Sequence, residues 1–364
     1  MKKLKIVTIL GTRPEIIRLS KLIPKLDKHT EHFLIHTGQN FSPELSQVFF
    51  DELELREPDV YLESARGSLG AQLGTMLSEV ELQLQKIRPD GVVILGDTNS
   101  ALSAIIAERL GIPVFHLESG NRSFDREVPE ELNRKLVDHI ASYNLCYTET
   151  ARRNLMAEGL HRNSMCVTGT PLREVIDGMA GRISKSNALE TLKLKSGDFF
   201  LVSAHRQETV DNPARLALLL ESLNRLADSS GQRVIVSTHP RTASKIENMG
   251  PQDSRVVFLP PFGFSDYLRL QVESRFVLSD SGSLAEEASI LGLRAATIRR
   301  SFERQEALDS GLLACVGLNF DSWMNALDIA ETKSAIDVPD YSQPNFSDVV
   351  LNFINSKLLH DRRI

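Results

Sequence analysis

The sequence predicts a two-domain α/β protein in which two Rossmann-like parallel-sheet domains face a cleft. Three observations lead there. Apolar runs such as LKIVTIL (4–10), GVVIL (91–95), FFLVSA (199–204) and FVLS (276–279) stop abruptly and give way to glycine, charge or hydroxyl groups. Doubly buried parallel strands look like this, and ligands of open α/β sheets sit beyond the strands' carboxyl ends. Between the runs lie segments with helical apolar spacing, as in Leu69, Leu73, Met76, Val80 and Leu84. Finally, 364 residues exceed a single core, and a polar, broken stretch at 169–198 separates two such series.

In chain order, the strand of 4–10 meets Gly11-Thr12-Arg13 and a helix over roughly 14–27, with Pro14 suited to its first turn. HFLIHT (32–37) is a strand, SPELSQVFFDEL (42–53) a helix and DVYLE (59–63) a short strand. A helix over 67–86 leads to the strand of 91–95, with Asp97 and Thr98 opening the next helix. IPVF (112–115) precedes the most charged stretch, HLESGNRSFDREVPEELNR (116–134), whose helix is opened by Pro129 and ends near Ala141. NLCYT (144–148), a helix containing TARRNLMAEGL (150–160) and MCVTG (165–169) complete a first domain expected over 1–170.

The second domain, expected over 171–345, begins with the interdomain connection at 169–198. Its strand FFLVSA ends at His205-Arg206, then come the amphipathic helix RLALLLESLNRL (215–226), the strand VIVSTH (234–239) and a helix opened by Pro240-Arg241-Thr242. RVVFLP (255–260) runs into the aromatic loop PFGFSDY (261–267), and RFVLSDSGSLAEEASILG (275–292) and RAATIRR (294–300) supply two further strand ends. Segment 346–364 makes a last helix, near 345–359, that packs back toward the first domain.

A net charge of −6 with no basic arm argues against nucleic acid as a partner. Cys146, Cys166 and Cys315 are odd in number and set in apolar surroundings, as buried free thiols of a reducing compartment would be. MKKLKIVTIL is too short an apolar run for a secretory signal, and no stretch approaches membrane-spanning length. These features predict a cytoplasmic protein with no membrane partner.

The candidate site gathers at the strand ends. Asp97 and Glu118 would close neighbouring strands, and Glu130 and Arg134 lie four apart on one helical face, with Arg122 beside them. Arg13, Arg18, His205, Arg206, Arg299 and Arg304 would collect positive charge in the cleft, as a diphosphate requires. Ser281, Gly282 and Ser283 at a helix N-terminus offer amides and hydroxyls to a phosphate. Glu287 suits both hydroxyls of a ribose, and Phe262 of the aromatic loop suits a flat heterocycle. Plainer roles compete: Asp97 as a helix N-cap, and Glu286 and Glu287 as dipole-stabilising first-turn acids. No His/Cys cluster or Asp-x-Asp pair is placed to hold a metal, and G-x-G-x-x-G is absent, so no metal or other cofactor is expected.

The blocks GTRPE (11–15), GDT (96–98), HLESGNR…PEELNR, SAHR (203–206), SDSGSLAEE (279–287) and IRRSFERQE (298–306) resemble, in order and over nearly the whole chain, the UDP-N-acetylglucosamine 2-epimerases. The resemblance implies the glycosyltransferase-B fold, UDP-sugar and UDP as ligands, and a homodimer. It implies essential positions at Arg13, Asp97, Glu118, Glu130, Arg134 and His205, diphosphate contacts at Ser281 and Gly282, and a ribose carboxylate at Glu287. GNRSFDREVPEE and LSDSGSLAEEASIL are most similar to a branch that converts UDP-2-acetamido-2,6-dideoxy-L-talose to UDP-N-acetyl-L-fucosamine for surface polysaccharides. Four positions depart from the family pattern: Arg18 for Lys, Ser283 for Gly, Gln305 for Pro and Thr209 for Asn. Gln39 matches the family's regulatory segment whereas Asn40 and Ser42 do not, which argues against activation by substrate.

The implied chemistry is elimination of UDP across C1–C2, then its return with C2 inverted. It needs carboxylates near C2, cations on the departing diphosphate and exclusion of water. Asp97, Glu118 and Glu130 supply the carboxylates, and which takes the proton stays open. A UDP-GlcNAc/UDP-ManNAc epimerase, a hydrolysing epimerase, a retaining glycosyltransferase and a UDP-sugar sensor are the competing functions.

Overall fold

The computed structural model describes residues 3–39, 50–63, 67–126, 128–238, 242, 245–246, 249–250 and 252–361. They form two compact units, Met1–Val175 with Gln343–Ile364, and Ile176–Ser342. The first unit holds β1 (Lys5–Leu10), β2 (Glu31–His36), β3 (Val60–Tyr61), β4 (Gly91–Leu95), β5 (Val114–Leu117), β6 (Tyr143–Cys146) and β7 (Met165–Val167). Every pairing is parallel, and the spatial order is β3-β2-β1-β4-β5-β6-β7. The second unit holds β8 (Phe199–Ser203), β9 (Arg233–Ser237), β10 (Val256–Leu259), β11 (Phe276–Ser279) and β12 (Ala295–Thr297), also all parallel, in the order β10-β9-β8-β11-β12.

Both sheets therefore reverse their winding once, between β1 and β4 and between β8 and β11. Open α/β sheets leave a crevice at such a reversal, beyond the strands' carboxyl ends. Each central strand is buried throughout, as in VVIL of β4 and FFLV of β8, which is why these runs carry no alternation. At the end of β1, Gly11 is held so tightly that a Cβ would lie 2.0 Å from Thr37 Oγ1 and 2.4 Å from Ser100 Oγ. Those two hydroxyls are themselves bonded at 2.8 Å, so the ends of β1, β2 and β4 close on one another.

Several elements differ from expectation. The helix expected over 14–27 is two, Arg13–Leu19 and Leu22–His29. Ser20 ends the first by bonding Ile17 O through both its amide and its hydroxyl. Pro24 then sits in the opening turn of the second, where its missing N–H costs nothing. The connection at 169–198, polar and broken but helix-prone in sequence, is indeed largely helical, Leu172–Ser184 and Ala188–Leu192, because Val175, Ile176, Met179 and Ile183 form a buried stripe among the polar residues. Of the three thiols, Cys146 is buried but Cys315 is exposed, bridging to Thr297 beside the edge strand β12. The helix expected at 42–53 lies mostly outside the described residues, as do His239, Pro240 and Arg241.

The helix Phe346–Asp361 belongs to the first unit. Phe353 meets the rings of Phe115 and Tyr143 edge-on, and Lys357 lies 5.3 Å from the Tyr143 centroid. Ser347 donates through its amide and hydroxyl to Glu174. Among the described residues no helix is long and apolar enough to cross a membrane.

Replacing Gly11 by Ala forces a methyl group into the Thr37–Ser100 contact. Gly11→Ala is expected to lose at least about 2 kcal/mol of stability, as overpacked cores do, read as a lowered denaturant midpoint.

Candidate active site

Both winding reversals are built around a buried carboxylate. In the first unit this is Glu15, on the helix that follows β1. Its Oε2 accepts from the amides of Gly11 and Thr12 at 2.7 Å each and from Thr12 Oγ1 at 3.0 Å. Its Oε1 accepts from Thr98 Oγ1 at 2.7 Å, across the reversal and beyond the end of β4. Burial pushes this carboxyl up to about 7 even against these donors.

Asp97 precedes Thr98, and Glu118 follows the neighbouring strand β5. Arg134 joins them: its Nη2 donates to Asp97 Oδ2 and lies 3.4 Å from Glu118 Oε1, while its Nη1 donates to Glu118 O. Arg18 reaches the other oxygen of Glu118 at 3.5 Å and stands 5.5 Å over the Tyr147 ring. Two carboxylates and two guanidiniums thus form a charge-balanced row at adjacent strand ends. Glu118 has φ of +61°, a left-handed backbone that costs a non-glycine residue about 1–3 kcal/mol and is typical of functional turns. Thr98, rather than Asp97, supplies the side-chain cap of the next helical turn, accepting from the Ser100 amide. Asp97 keeps a side chain 18% exposed.

The pairing that spacing allows Glu130 and Arg134 does not organise Arg134, which bridges Asp97 and Glu118. Glu130 is half-buried in the first turn of its helix, Pro129–Ile140. Its neighbour Glu131 is the buried one and accepts from the Ser123 amide at 2.9 Å, fixing the intervening loop.

Beneath that loop lies a second buried carboxylate, Asp138, one turn beyond Arg134. It accepts from the Gly120 amide and Arg122 Nη1 and lies 2.9 Å from His116 Nδ1. Burial alone would raise Asp138, but His116, then Arg122 and Arg134, hold it below the usual carboxylate range. Arg122 spends its remaining groups on Glu158, with Nε and Nη2 each 2.7 Å from a carboxylate oxygen, and on Asn121 O. Arg122 therefore braces the loop and is not placed to face a ligand. Gly120 is essential there: φ is +81° and a Cβ would lie 2.3 Å from Ala151 O.

In the second unit the corresponding carboxylate is Asp280, just beyond β11. Its Oδ2 accepts from the amides of His205 and Arg206 at 2.8 and 2.9 Å, across the reversal at β8. His205 Nδ1 lies 2.9 Å from Oδ1, and the imidazole is otherwise half exposed. Burial would raise Asp280, but the charge and hydrogen bond of His205 and the two amides carry it below the ordinary range. An Asp so placed fixes the imidazole tautomer and orientation. Arg206 Nε donates to Asp280 O, so the whole His-Arg turn hangs on one residue.

Ser281, Gly282 and Ser283 form the turn into the helix Leu284–Leu291. Ser281 Oγ and Ser283 Oγ lie 2.9 Å apart. Ser283 Oγ donates to Glu287 Oε1 at 2.7 Å, and Gln271 Nε2 donates to Oε2 at 2.7 Å. Glu287 is thus preset within hydrogen-bond reach of the phosphate-type turn, not merely a dipole acid. Arg299, at the end of β12, is buried with Nη1 3.4 Å from Glu303 Oε1.

The expected excess of positive charge is smaller than the residue list implies. Arg18 is engaged by Glu118, and Arg304 is wholly buried against the equally buried Glu286 at 3.1 Å. Only its Nη2 is spent on that carboxylate. Arg13 and Arg206 are partly exposed, and Phe262 is partly buried against the core around Phe199 and Leu270. Among the described residues, no three His, Cys, Asp or Glu groups converge as a metal site would need.

Sequence reasoning missed the roles of Glu15, Asp138 and Asp280. Each had a signal: the T-x-x-E capping pattern at Thr12–Glu15, the i,i+4 spacing of Arg134 and Asp138, and an Asp opening the Ser-Gly-Ser turn. Removing the charge of Asp138 leaves Arg122 and His116 under-partnered in the interior. Asp138→Asn is expected to cost about 3 kcal/mol. The folded pKa is depressed, so this contribution is present above the unfolded value near 3.8 and fades as pH falls below it. Denaturant curves at pH 7 and pH 3 should show the gap between wild type and variant shrinking in acid.

The family model described as UDP-N-acetylglucosamine 2-epimerase matches residues 24–354. A Rickettsia bellii UDP-N-acetylglucosamine 2-epimerase structure is 41% identical, covers 99% of this chain and 98% of its own, and superposes with a TM-score of 0.91. A Methanocaldococcus jannaschii UDP-GlcNAc 2-epimerase in complex with UDP-GlcNAc and UDP is 35% identical, with coverages of 97% and 99% and a TM-score of 0.89. The UDP-2,3-diacetamido-2,3-dideoxy-D-glucuronate 2-epimerase of Pseudomonas aeruginosa is 35% identical over 86% of this chain and 88% of its own. With the strand-end carboxylates and the two parallel sheets in place, these matches establish that the chain is an enzyme of the UDP-N-acetylglucosamine 2-epimerase family.

Proposed function

We propose that the chain is a non-hydrolysing 2-epimerase acting on a UDP-2-acetamido sugar. Its substrate and product are UDP-2-acetamido-2,6-dideoxy-L-talose and UDP-N-acetyl-L-fucosamine, made for surface polysaccharide. The observation that carries the reaction type is the row Asp97–Arg134–Glu118–Arg18 at adjacent strand ends. The C2 proton is barely acidic, but departure of UDP builds positive charge at C1 and acidifies it. A carboxylate beside C2 takes the proton while UDP leaves, giving a glycal. Return of UDP to C1 with protonation of C2 from the opposite face completes the inversion. Asp97, Glu118 and Glu130 are the proposed acid–base groups. His205, oriented by Asp280, stabilises the leaving diphosphate with Arg13 and Arg206. Ser281, Gly282 and Ser283 receive the diphosphate, Glu287 the ribose, Phe262 the base, and Arg299 the anion from beneath. The enzyme works as a cytoplasmic homodimer without a cofactor.

The 6-deoxy sugar is supported by the GNRSFD loop between Glu118 and Glu130. Its Phe124 is 72% exposed, an apolar neighbour suited to a methyl group at C6. The bound UDP-GlcNAc of the M. jannaschii relative favours a second substrate pair, UDP-GlcNAc and UDP-ManNAc. The P. aeruginosa relative, at equal identity, carries a carboxylate at C6 by name, so identity alone does not choose the sugar.

Incubation in heavy water without any acceptor tests the reaction: deuterium should enter at C2 and the epimer should form with no free sugar. Acceptor dependence without exchange would mean a transferase, and release of free sugar a hydrolysing enzyme. Turnover of the 6-deoxy-L-talose nucleotide should exceed that of UDP-GlcNAc at least about tenfold, since the two differ in ring stereochemistry as well as at C6; the reverse order selects the second pair. Asp97→Asn and Glu118→Gln should each lower kcat at least about 10²-fold, as loss of a general acid or base does, with UDP still bound. Near-normal turnover in either removes that residue from the mechanism.

A further inference from the structure

We propose that Glu15 is a positioning residue for Asp97: by bonding the β1 turn to the β4 turn across the winding reversal, it sets the reacting carboxylate at its working distance from Arg13. This inference rests on the epimerase function proposed above.

The geometry exceeds what a helix cap requires. A capping glutamate needs only the amide at the helix entrance, and such caps normally stand in solvent. Glu15 is 2% exposed and uses both oxygens. Oε2 gathers three donors from Gly11 and Thr12, the residues immediately before Arg13. Oε1 takes the hydroxyl of Thr98, 83 residues away in sequence and adjacent to Asp97. Thr98 Oγ1 in turn accepts from the Ser100 amide, so the turn that carries Asp97 is held from both sides. Asp97 O accepts from Asn133 Nδ2 at 3.0 Å, which ties the same turn to the helix bearing Arg134. Beneath them, the bonded Thr37 and Ser100 hydroxyls pack directly against Gly11, filling the place a side chain there would take. The turns are thus spaced by contact on one side and by the Glu15–Thr98 bond on the other. Burying a carboxylate is costly, and a cap served by a surface residue would avoid that cost.

Thr98→Val removes the cross-turn bond together with the Ser100 cap, while preserving shape and leaving all three donors on Oε2. Glu15→Gln weakens both halves. Each is measured with the UDP-sugar that the wild type epimerises, following kcat, KM, deuterium entry at C2, UDP affinity and melting temperature. Displacement of a reacting group by a fraction of an ångström to an ångström costs up to about a hundredfold in rate. The expected result for Thr98→Val is a kcat about ten- to a hundredfold lower, with KM and UDP affinity within about threefold and a melting temperature lowered by only about 2–4 °C, the cost of the lost cap. The double variant should be no slower than Glu15→Gln alone, since both act through one bond. Thr98→Val turning over at the wild-type rate, or single effects that multiply in the double variant, would overturn the proposal and leave Glu15 as a structural cap. If Glu15→Gln fails to fold, the kcat of Thr98→Val alone decides. A wild type that epimerises no UDP-sugar would instead defeat the proposed function.

Discussion

The structure depends on burying one carboxylate at each point where a sheet reverses its winding. Glu15 does this between β1 and β4, Asp280 between β8 and β11. In each case donors come from the turn after the neighbouring strand, and Glu15 takes local ones from Gly11 and Thr12 as well. A buried carboxylate without such donors would cost several kcal/mol. The turns are therefore obliged to present their amides and hydroxyls inward at fixed places. Asp97, next to Thr98, and His205, next to Arg206, lie on these same turns. Folding energy and site geometry are set by the same bonds.

Charge is distributed differently from the way a list of residues suggests. Arg18, Arg122 and Arg304 look like anion contacts in sequence, yet each is engaged by a protein carboxylate. These pairs are largely shielded from water, where removing one partner is far more harmful than having built neither. Their role is to hold Glu118, the loop after it and the helix bearing Glu286. Of the other basic groups at the strand ends, Arg13 of the first unit and Arg206 of the second are partly exposed, and His205 is exposed.

Much of this was legible in the sequence. The strand ends were visible because doubly buried strands leave continuous apolar runs, and the abrupt change to Asp97, Glu118 or His205 marks where each strand stops. Who pairs with whom was not legible, because Glu15 and Thr98, or Arg122 and Glu158, meet only once the strand order is known. The break at Ser20 hid behind good helical spacing, and its cause lies four residues later in Pro24. Cys315 looked buried from its neighbours but lies beside an edge strand. Glu130 and Glu131 show the limit most sharply: adjacent, identical in type, one half exposed and the other sealed against Ser123.

The discontinuity of the first unit has a bearing on synthesis. Residues 176–342 form a contiguous unit, whereas the first seven-stranded sheet still lacks the helix Phe346–Asp361 when that unit emerges. Until then the faces of Phe115 and Tyr143 and the floor beneath Gly91 have no cover from Phe353 and Leu358. Completion of the first sheet's cover therefore waits on residues 346–361, although every strand of that sheet lies before residue 168.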